Sequence, residues 1–131
     1  MKLGFIGCGV MANAMMGGII RNGLYKPEDI WGADPFEGSR EKTKAANGIN
    51  VTDSNEEVIK NCGFVFDVIY NPERTKLMQT AENYGIKTCG GMAMLVWQAV
   101  VAHEIWSGAK DNDNDIAKLI SDMHKLMAEK E

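Results

Sequence analysis

Short apolar runs alternate along the chain with longer segments whose apolar positions recur every three or four residues. The runs end at turn-forming residues, mainly glycine, asparagine and aspartate. A short apolar run bounded by turn residues is typical of a buried strand, and the three-four spacing is typical of a helix that packs by one face. The pattern therefore predicts strands and helices in alternation.

Five strands are predicted, over residues 3–6, 30–33, 49–51, 64–70 and 86–89. Helices are predicted over 10–21, about 37–46, 54–60, a segment that starts at Asn71-Pro72, 92–106 and a last amphipathic segment after residue 114. Ser54 and Glu57 have the spacing of a capping box. The segment 92–106 is apolar around nearly its whole circumference, which predicts a buried helix.

Strands that alternate with helices favour a parallel sheet covered on both faces. We therefore expect an α/β, doubly wound, five-stranded Rossmann-like sheet in the order 3-2-1-4-5, with helices at the C-terminal end. A length of 131 residues fits one domain over residues 1–131.

Composition narrows the partners and the location. The net charge is −4 and the lysines are scattered, which argues against nucleic acid as a partner. Glycines interrupt the apolar start of the chain, so we expect a cytoplasmic protein without a signal peptide or membrane span. Cys8, Cys62 and Cys89 form no CxxC pair and the two histidines are distant, so neither a disulfide framework nor a metal site is expected.

The segment Gly7-Cys8-Gly9-Val10-Met11-Ala12 has the pattern G-x-G-x-x-A and lies between a predicted strand and a predicted helix. In a dinucleotide site, the first glycine permits a tight turn, the second lets the backbone approach the pyrophosphate, and Ala12 keeps helix and strand close. The helix start, at Val10 and Met11, then offers free N–H groups to the phosphates. The alternative is a tight connection without a ligand.

The residue after the second strand bears on the choice of cofactor. Asp34 occupies the place where dinucleotide-binding proteins carry an acidic residue that accepts hydrogen bonds from the adenosine ribose, which favours NAD over NADP. NADP would require a cation for its 2′-phosphate, and Arg40 is the nearest candidate.

Residues 1–63 resemble the start of pyrroline-5-carboxylate reductase, in the segments GFIGCGVMANAMMGGIIRNGLYKPED, INVT and SNEEVIKNC. The resemblance implies a nicotinamide cofactor. That family commonly has an arginine suited to NADP after the position of Asp34, whereas this chain has Pro35.

From Phe64 onward the chain is similar to the C-terminal part of shikimate dehydrogenase, in the patterns D-x-x-Y-x-P and G-x-x-M-L-V-x-Q-A. This resemblance implies that Gly91 and Met94 lie by the nicotinamide, that Tyr70 lies near nicotinamide and substrate, and that Gln98 binds a substrate hydroxyl. Helical spacing does place Gly91, Met94 and Gln98 on one face. The alternatives are core packing for Met94 and a water-facing side chain for Gln98.

For each of the two families, the part that forms the substrate site is not found in this sequence. Shikimate dehydrogenases carry a catalytic lysine and aspartate in a preceding domain, and pyrroline-5-carboxylate reductases use a C-terminal dimerisation domain. No catalytic residue is assigned: His103 and Glu104 have no evident third group to orient them, and Cys8 is interpreted as a packing residue.

Three hypotheses follow. The first is an NAD(P)-binding module, a chimera or natural mosaic with a junction near residues 62–66 and without efficient catalysis. The second is a small oxidoreductase of either type that completes its site as a homodimer. The third is a scaffold that no longer binds a cofactor.

Overall fold

The structure is a computed structural model that describes residue 1 and residues 3–128. The chain divides into two compact units, Met1–Phe64 and a second that begins at Val65. This boundary lies within the interval 62–66 where the sequence predicts a junction. That both units belong to one cofactor-binding domain stays a prediction.

The first unit contains a three-stranded parallel sheet. Its elements are β1 (Leu3–Ile6), α1 (Val10–Arg21), a 3-10 turn (Pro27–Asp29), β2 (Ile30–Ala33), α2 (Glu37–Asn47), β3 (Asn50–Thr52) and α3 (Asn55–Lys60). The strands lie in the order β1-β2-β3, with both pairs parallel. Met16, Ile30 and Ile49 form the core, and Ala12 packs against it.

The second unit contains a two-stranded sheet and three helices. Its elements are β4 (Phe64–Phe66), which starts at the boundary residue, α4 (Lys76–Asn83), β5 (Lys87–Cys89), α5 (Met92–Ser107) and α6 (Asp113–Ala128). Strands β4 and β5 pair with each other. Val96 and Val100 of α5 pack on Ile116 of α6, with Ile120 and Met123 beside them.

The sheet differs from the expected one. Within the described residues the five strands form two sheets, so the continuous order 3-2-1-4-5 is not confirmed, although β1-β2-β3 and the β4-β5 pair are its two parts. The boundaries of β1, α1 and β2 match the sequence prediction, and β3 is shifted by one residue. Ser54 caps α3 by accepting from the N–H of Glu57, but the Glu57 carboxylate binds the Thr52 hydroxyl instead of completing a capping box.

The predictions for residues 64–75 were wrong in extent. Strand β4 ends at Phe66, because the Asp67 carboxylate accepts from the N–H of Ile69 at 3.0 Å and turns the chain. Helix α4 does not start at Asn71-Pro72. It starts at Lys76, because the Thr75 hydroxyl accepts from the N–H of Met78 at 3.2 Å and caps it there.

The composition of α5 predicted a helix that is buried on all sides, and this prediction was wrong. Met92, Val96 and Val100 are buried, but Ile105 is 74% exposed and Trp106 is 84% exposed. Apolar composition cannot distinguish a face covered by the unit's own residues from one that is left uncovered.

No helix in the described part of the chain combines the length and the apolar character needed to cross a membrane.

Candidate nucleotide-binding site

The turn after β1 requires glycine at its first position. Gly7 has a φ of +96°, a left-handed conformation that side-chain-bearing residues rarely adopt. Its N–H donates to the carbonyl of Ala33 at 2.7 Å, which fixes the turn to the end of β2. The turn therefore lies at the carboxyl edge of the sheet, where α/β proteins bind nucleotides.

The start of α1 presents uncapped backbone donors. Gly9 is the N-cap and makes no side-chain cap bond, and the first i to i−4 bond runs from the N–H of Asn13 to the carbonyl of Gly9 at 3.0 Å. The N–H groups of Val10, Met11 and Ala12 precede that bond and have no partner within the helix. Together with the helix dipole they form a suitable place for phosphate oxygens.

Gly9 is not required by the protein's own backbone. Its φ of −77° and ψ of −173° are open to any residue, and a Cβ added there would meet no protein atom within 4 Å. The open space lies at the residue that precedes these N–H groups. The protein's own packing therefore does not explain a glycine at this position.

Asp34 is turned inward to hold this turn. Its Oδ2 accepts from the N–H of Cys8 at 2.9 Å, and its Oδ1 accepts from the N–H of Phe36 at 2.9 Å. The residue is only 9% exposed. These two N–H groups, Cys8 first, hold the pKa of Asp34 below its ordinary value.

Arg40 reaches back from α2 to the end of β2. Its Nη1 donates to the carbonyl of Asp34 at 2.7 Å and to that of Pro35 at 3.0 Å. The sequence singles out Arg40 as the cation nearest to the ribose position. Both contacts are to backbone carbonyls that follow β2, and neither partner is a carboxylate.

Cys8 is a buried packing residue. It is 4% exposed, and a Cβ on Gly32 would lie 2.8 Å from its Sγ, so the side chain fills the space that this glycine leaves. Burial, and then the nearby Asp34 charge, raise the pKa of the thiol. This environment disfavours the thiolate and hence nucleophilic chemistry.

In the second unit, Tyr70 and Gly91 lie together. Both line a small pocket of about 70 Å³, which is also lined by Glu73 and His124, whose side chains contact each other. A Cβ on Gly91 would lie 2.2 Å from the carbonyl oxygen of Val68, so backbone packing alone requires glycine there. Met94 and Gln98 are exposed on α5 and do not line this pocket.

A polar pair that sequence reasoning missed joins α5 to the link before α6. His103 Nδ1 lies 2.8 Å from Asp111 Oδ2, at the rim of a pocket of about 300 Å³ between the two helices. Next to it, Glu104 binds Lys110 at 2.9 Å, and this contact, with the N–H of Asp111, lowers the pKa of Glu104. Asp111 is therefore the group that contacts the His103 ring, and the sequence did not predict it. Its approach depends on the left-handed turn at Gly108, which residue spacing does not reveal.

No three His, Cys, Asp or Glu side chains in the described residues come together in a way that could hold a metal ion.

The parallel sheet and the glycine turn define a Rossmann-like nucleotide-binding protein. The chain belongs to the family described as NADP oxidoreductase, coenzyme F420-dependent, whose profile matches residues 2–69. It is also similar to shikimate dehydrogenases: 43% identical over 58 residues to the Clostridium beijerinckii enzyme and 38% over 66 residues to that of Methanococcus vannielii. These matches cover 44% and 50% of this chain but only 22% and 23% of the relatives.

Solved structures show the same fold. A chorismate mutase/shikimate 5-dehydrogenase fusion protein from Clostridium acetobutylicum matches with a TM-score of 0.73 and 20% identity, over 97% of this chain and 55% of that one. Shikimate 5-dehydrogenase from Listeria monocytogenes, in complex with shikimate and NAD, matches with a TM-score of 0.58 and 21% identity, over 91% and 55%. The chain thus spans about half of these proteins.

Proposed function

We propose that the chain binds a nicotinamide dinucleotide as the cofactor-binding part of an oxidoreductase, with the pyrophosphate on the turn from Gly7 to Ala12. The observation that carries the proposal is Gly9. The protein leaves open space at a glycine that its own backbone does not need, beside three N–H groups at the start of α1 that have no partner within the helix. The family match over residues 2–69 supports the same assignment.

We further propose NADP rather than the NAD that Asp34 favours from sequence. Each carboxylate oxygen of Asp34 already accepts a backbone N–H, and little of the residue is exposed to a ribose. Arg40 holds its guanidinium at the same strand end, where a 2′-phosphate is expected. The shikimate dehydrogenase relatives are named as NADP enzymes, which supports this choice, although the Listeria relative was solved with NAD.

The test is a titration with NADPH and with NADH, followed by energy transfer from the three tryptophans. NADPH is expected to bind more tightly, and Arg40→Gln to weaken NADPH by about tenfold or more while leaving NADH unchanged, because only NADPH carries the 2′-phosphate. Arg21→Gln, at the opposite end of α1, is the matched control. Absence of saturation at millimolar cofactor would refute the proposal; equal loss for both cofactors would refute the role of Arg40.

We propose that efficient turnover is absent, as expected for a chimera or mosaic with its junction near residues 62–66. The support for the junction is that the chain divides into two compact units after Phe64 and that the family profile ends at residue 69. The roles of Tyr70, Gly91, Met94 and Gln98 at the nicotinamide and substrate remain proposals from resemblance. Cofactor oxidation or reduction with shikimate, proline or pyrroline-5-carboxylate that disappears in Gln98→Ala would contradict the noncatalytic assignment.

A second copy of the chain is the alternative route to a complete site. One exposed side of α5 carries Trp97, Val101 and Ile105 at four-residue steps, a set of large apolar side chains that is unusual in contact with water. We propose that this side forms a homodimer contact. Sedimentation equilibrium should show a dimer that Val101→Ser with Ile105→Ser dissociates; a monomer at every accessible concentration would exclude the contact.

A further inference from the structure

Three polar side chains, those of Asn13, Thr43 and Asn47, form a cluster beside the turn from Gly7 to Ala12, which we call the phosphate turn. The cluster is not part of the sequence motif. The Asn13 amide nitrogen lies 2.9 Å from the carbonyl of Cys8, 2.9 Å from the carbonyl of Gly9 and 2.9 Å from the Thr43 hydroxyl. One side chain of α1 therefore holds two consecutive carbonyls of the turn.

Two residues of α2 set the orientation of Asn13. Thr43 is fully buried, and its hydroxyl accepts from Asn13 and donates to the carbonyl of Cys8 at 3.3 Å. The Asn47 amide donates to Asn13 Oδ1 at 2.7 Å. Because Oδ1 is occupied by a donor, the NH₂ end of Asn13 is the end that faces the turn.

The direction of these carbonyls fixes the direction of the amides that follow them. A trans peptide is planar, with its C=O and N–H pointing in opposite directions. When the carbonyls of Cys8 and Gly9 point to the cluster, the N–H groups of Gly9 and Val10 point away from it. A rotated peptide would instead present a carbonyl oxygen, which repels an anion.

We propose that Asn13, oriented by Asn47 and Thr43, is a positioning residue that keeps the Gly9 and Val10 amides directed at the pyrophosphate. The inference rests on the proposed function, since it assigns to that same site the group that prepares it. It predicts that loss of the cluster reduces the free energy of binding phosphate-bearing ligands by more than it reduces the free energy of unfolding.

The experiment compares Asn13→Ala with Asn22→Ala, because the Asn22 amide makes the same kind of bond, to the Gly18 carbonyl at 2.8 Å, at the other end of α1. Asn13→Ala is expected to weaken NADPH by about tenfold or more, and Asn22→Ala to leave it unchanged. In the wild type, inorganic pyrophosphate should shift the NMR signals of the Gly9 and Val10 amides. In Asn13→Ala these shifts should be lost, which a purely structural role would not predict.

If Asn13→Ala does not fold, the positioning role of Asn13 is tested through its partner, with the variants Thr43→Val and Thr43→Ser. Valine keeps the shape and removes the hydroxyl, whereas serine keeps the hydroxyl. Weaker NADPH binding in the valine variant, restored in the serine variant, supports the inference; equal affinity in both overturns it, as does wild-type affinity in a folded Asn13→Ala. If the wild type itself does not bind NADPH, the proposed function fails. The pyrophosphate-induced amide shifts still test the orientation separately, and their absence in the wild type also overturns the inference.

Discussion

Gly9 in the first unit and Gly91 in the second occupy similar places, each just after a strand and at the start of a helix. Both are expected from sequence to approach a cofactor. The structure gives them opposite environments, since a Cβ on Gly9 meets nothing within 4 Å and a Cβ on Gly91 lies 2.2 Å from a backbone oxygen. A motif glycine can thus be explained by a ligand or by the fold itself, and only the first case carries functional information.

Two aspartates extend the comparison. Asp34 follows β2 and Asp67 follows β4, and in each the Oδ1 accepts the N–H two residues on, at 2.9 and 3.0 Å. The Oδ2 atoms differ: that of Asp34 holds the Cys8 N–H of the phosphate turn, and that of Asp67 accepts from the Thr75 hydroxyl at 2.6 Å. The same turn chemistry supports a ligand-facing loop in one unit and a helix cap in the other.

The largest effect is expected for Gly91→Ala. The new Cβ meets backbone atoms of Val68 and Ile69, which cannot move aside as a flexible side chain can, so the free energy of unfolding should fall by more than about 3 kcal/mol. Gly90→Ala is the matched control, because its nearest contact would be 3.5 Å, and it should cost under about 1 kcal/mol. Urea denaturation measures both; equal losses would contradict the packing explanation.

The next effect compares the caps of α3 and α4. Thr75→Ala removes both the cap and the donor to the buried Asp67 carboxylate, at a cost of about 2–3 kcal/mol. Ser54→Ala removes one partly exposed bond, at about 1 kcal/mol. Thermal or urea unfolding gives the difference, and Thr75→Ser should recover most of the loss. A Ser54 cost equal to that of Thr75 would show that the Asp67 contact adds nothing.

A smaller effect is expected from pH. The folded-state pKa of Asp34 lies below its unfolded value, so its stabilising contribution is complete above the unfolded pKa of about 3.9 and is lost as the pH falls through the folded pKa. Between pH 6 and pH 2, the wild type should therefore lose more stability than Asp34→Asn. Urea midpoints read from Trp31, in a background with Trp97→Phe and Trp106→Phe, measure this in the first unit. Parallel pH profiles would contradict it.

The smallest change in stability is expected for Gly9→Ala. Its backbone angles suit alanine and the Cβ has free space, so unfolding should change by under about 0.5 kcal/mol. NADPH affinity should nevertheless fall by about tenfold or more, because the Cβ would occupy the ligand's place. Gly18→Ala, also unobstructed but at the far end of α1, should leave affinity unchanged. Undiminished binding by Gly9→Ala would remove the main support for the proposed site.

Sequence periodicity was most informative in the first unit. The boundaries of β1, α1 and β2 follow from apolar runs that end at strong turn residues, where local preference and packing agree. The positions of Gly7, Gly9 and Ala12 follow from a motif whose meaning depends only on a strand and a helix beside it. The contact of the Asp34 carboxylate with the Cys8 N–H could not be predicted, because Cys8 is distant in sequence.

The second unit was harder for physical reasons. The run from Phe64 to Tyr70 favours a strand throughout, yet the Asp67 side chain competes for the backbone and ends it. Apolar composition in α5 predicted burial, but whether a face is covered depends on tertiary partners. The His103–Asp111 pair likewise depends on the turn at Gly108, and in the first unit the Asn13 cluster depends on side chains of α1 meeting those of α2.

The open space at Gly9 also has a consequence for how this position evolves. In a lineage that ceased to use the nucleotide, replacement of Gly9 would cost the fold almost nothing and would accumulate freely, whereas Gly7 and Gly91 would still be retained by selection for folding alone. A genome survey could therefore use position 9 as an indicator: copies that keep Gly91 and lose Gly9 would be those that preserved the architecture after abandoning the cofactor.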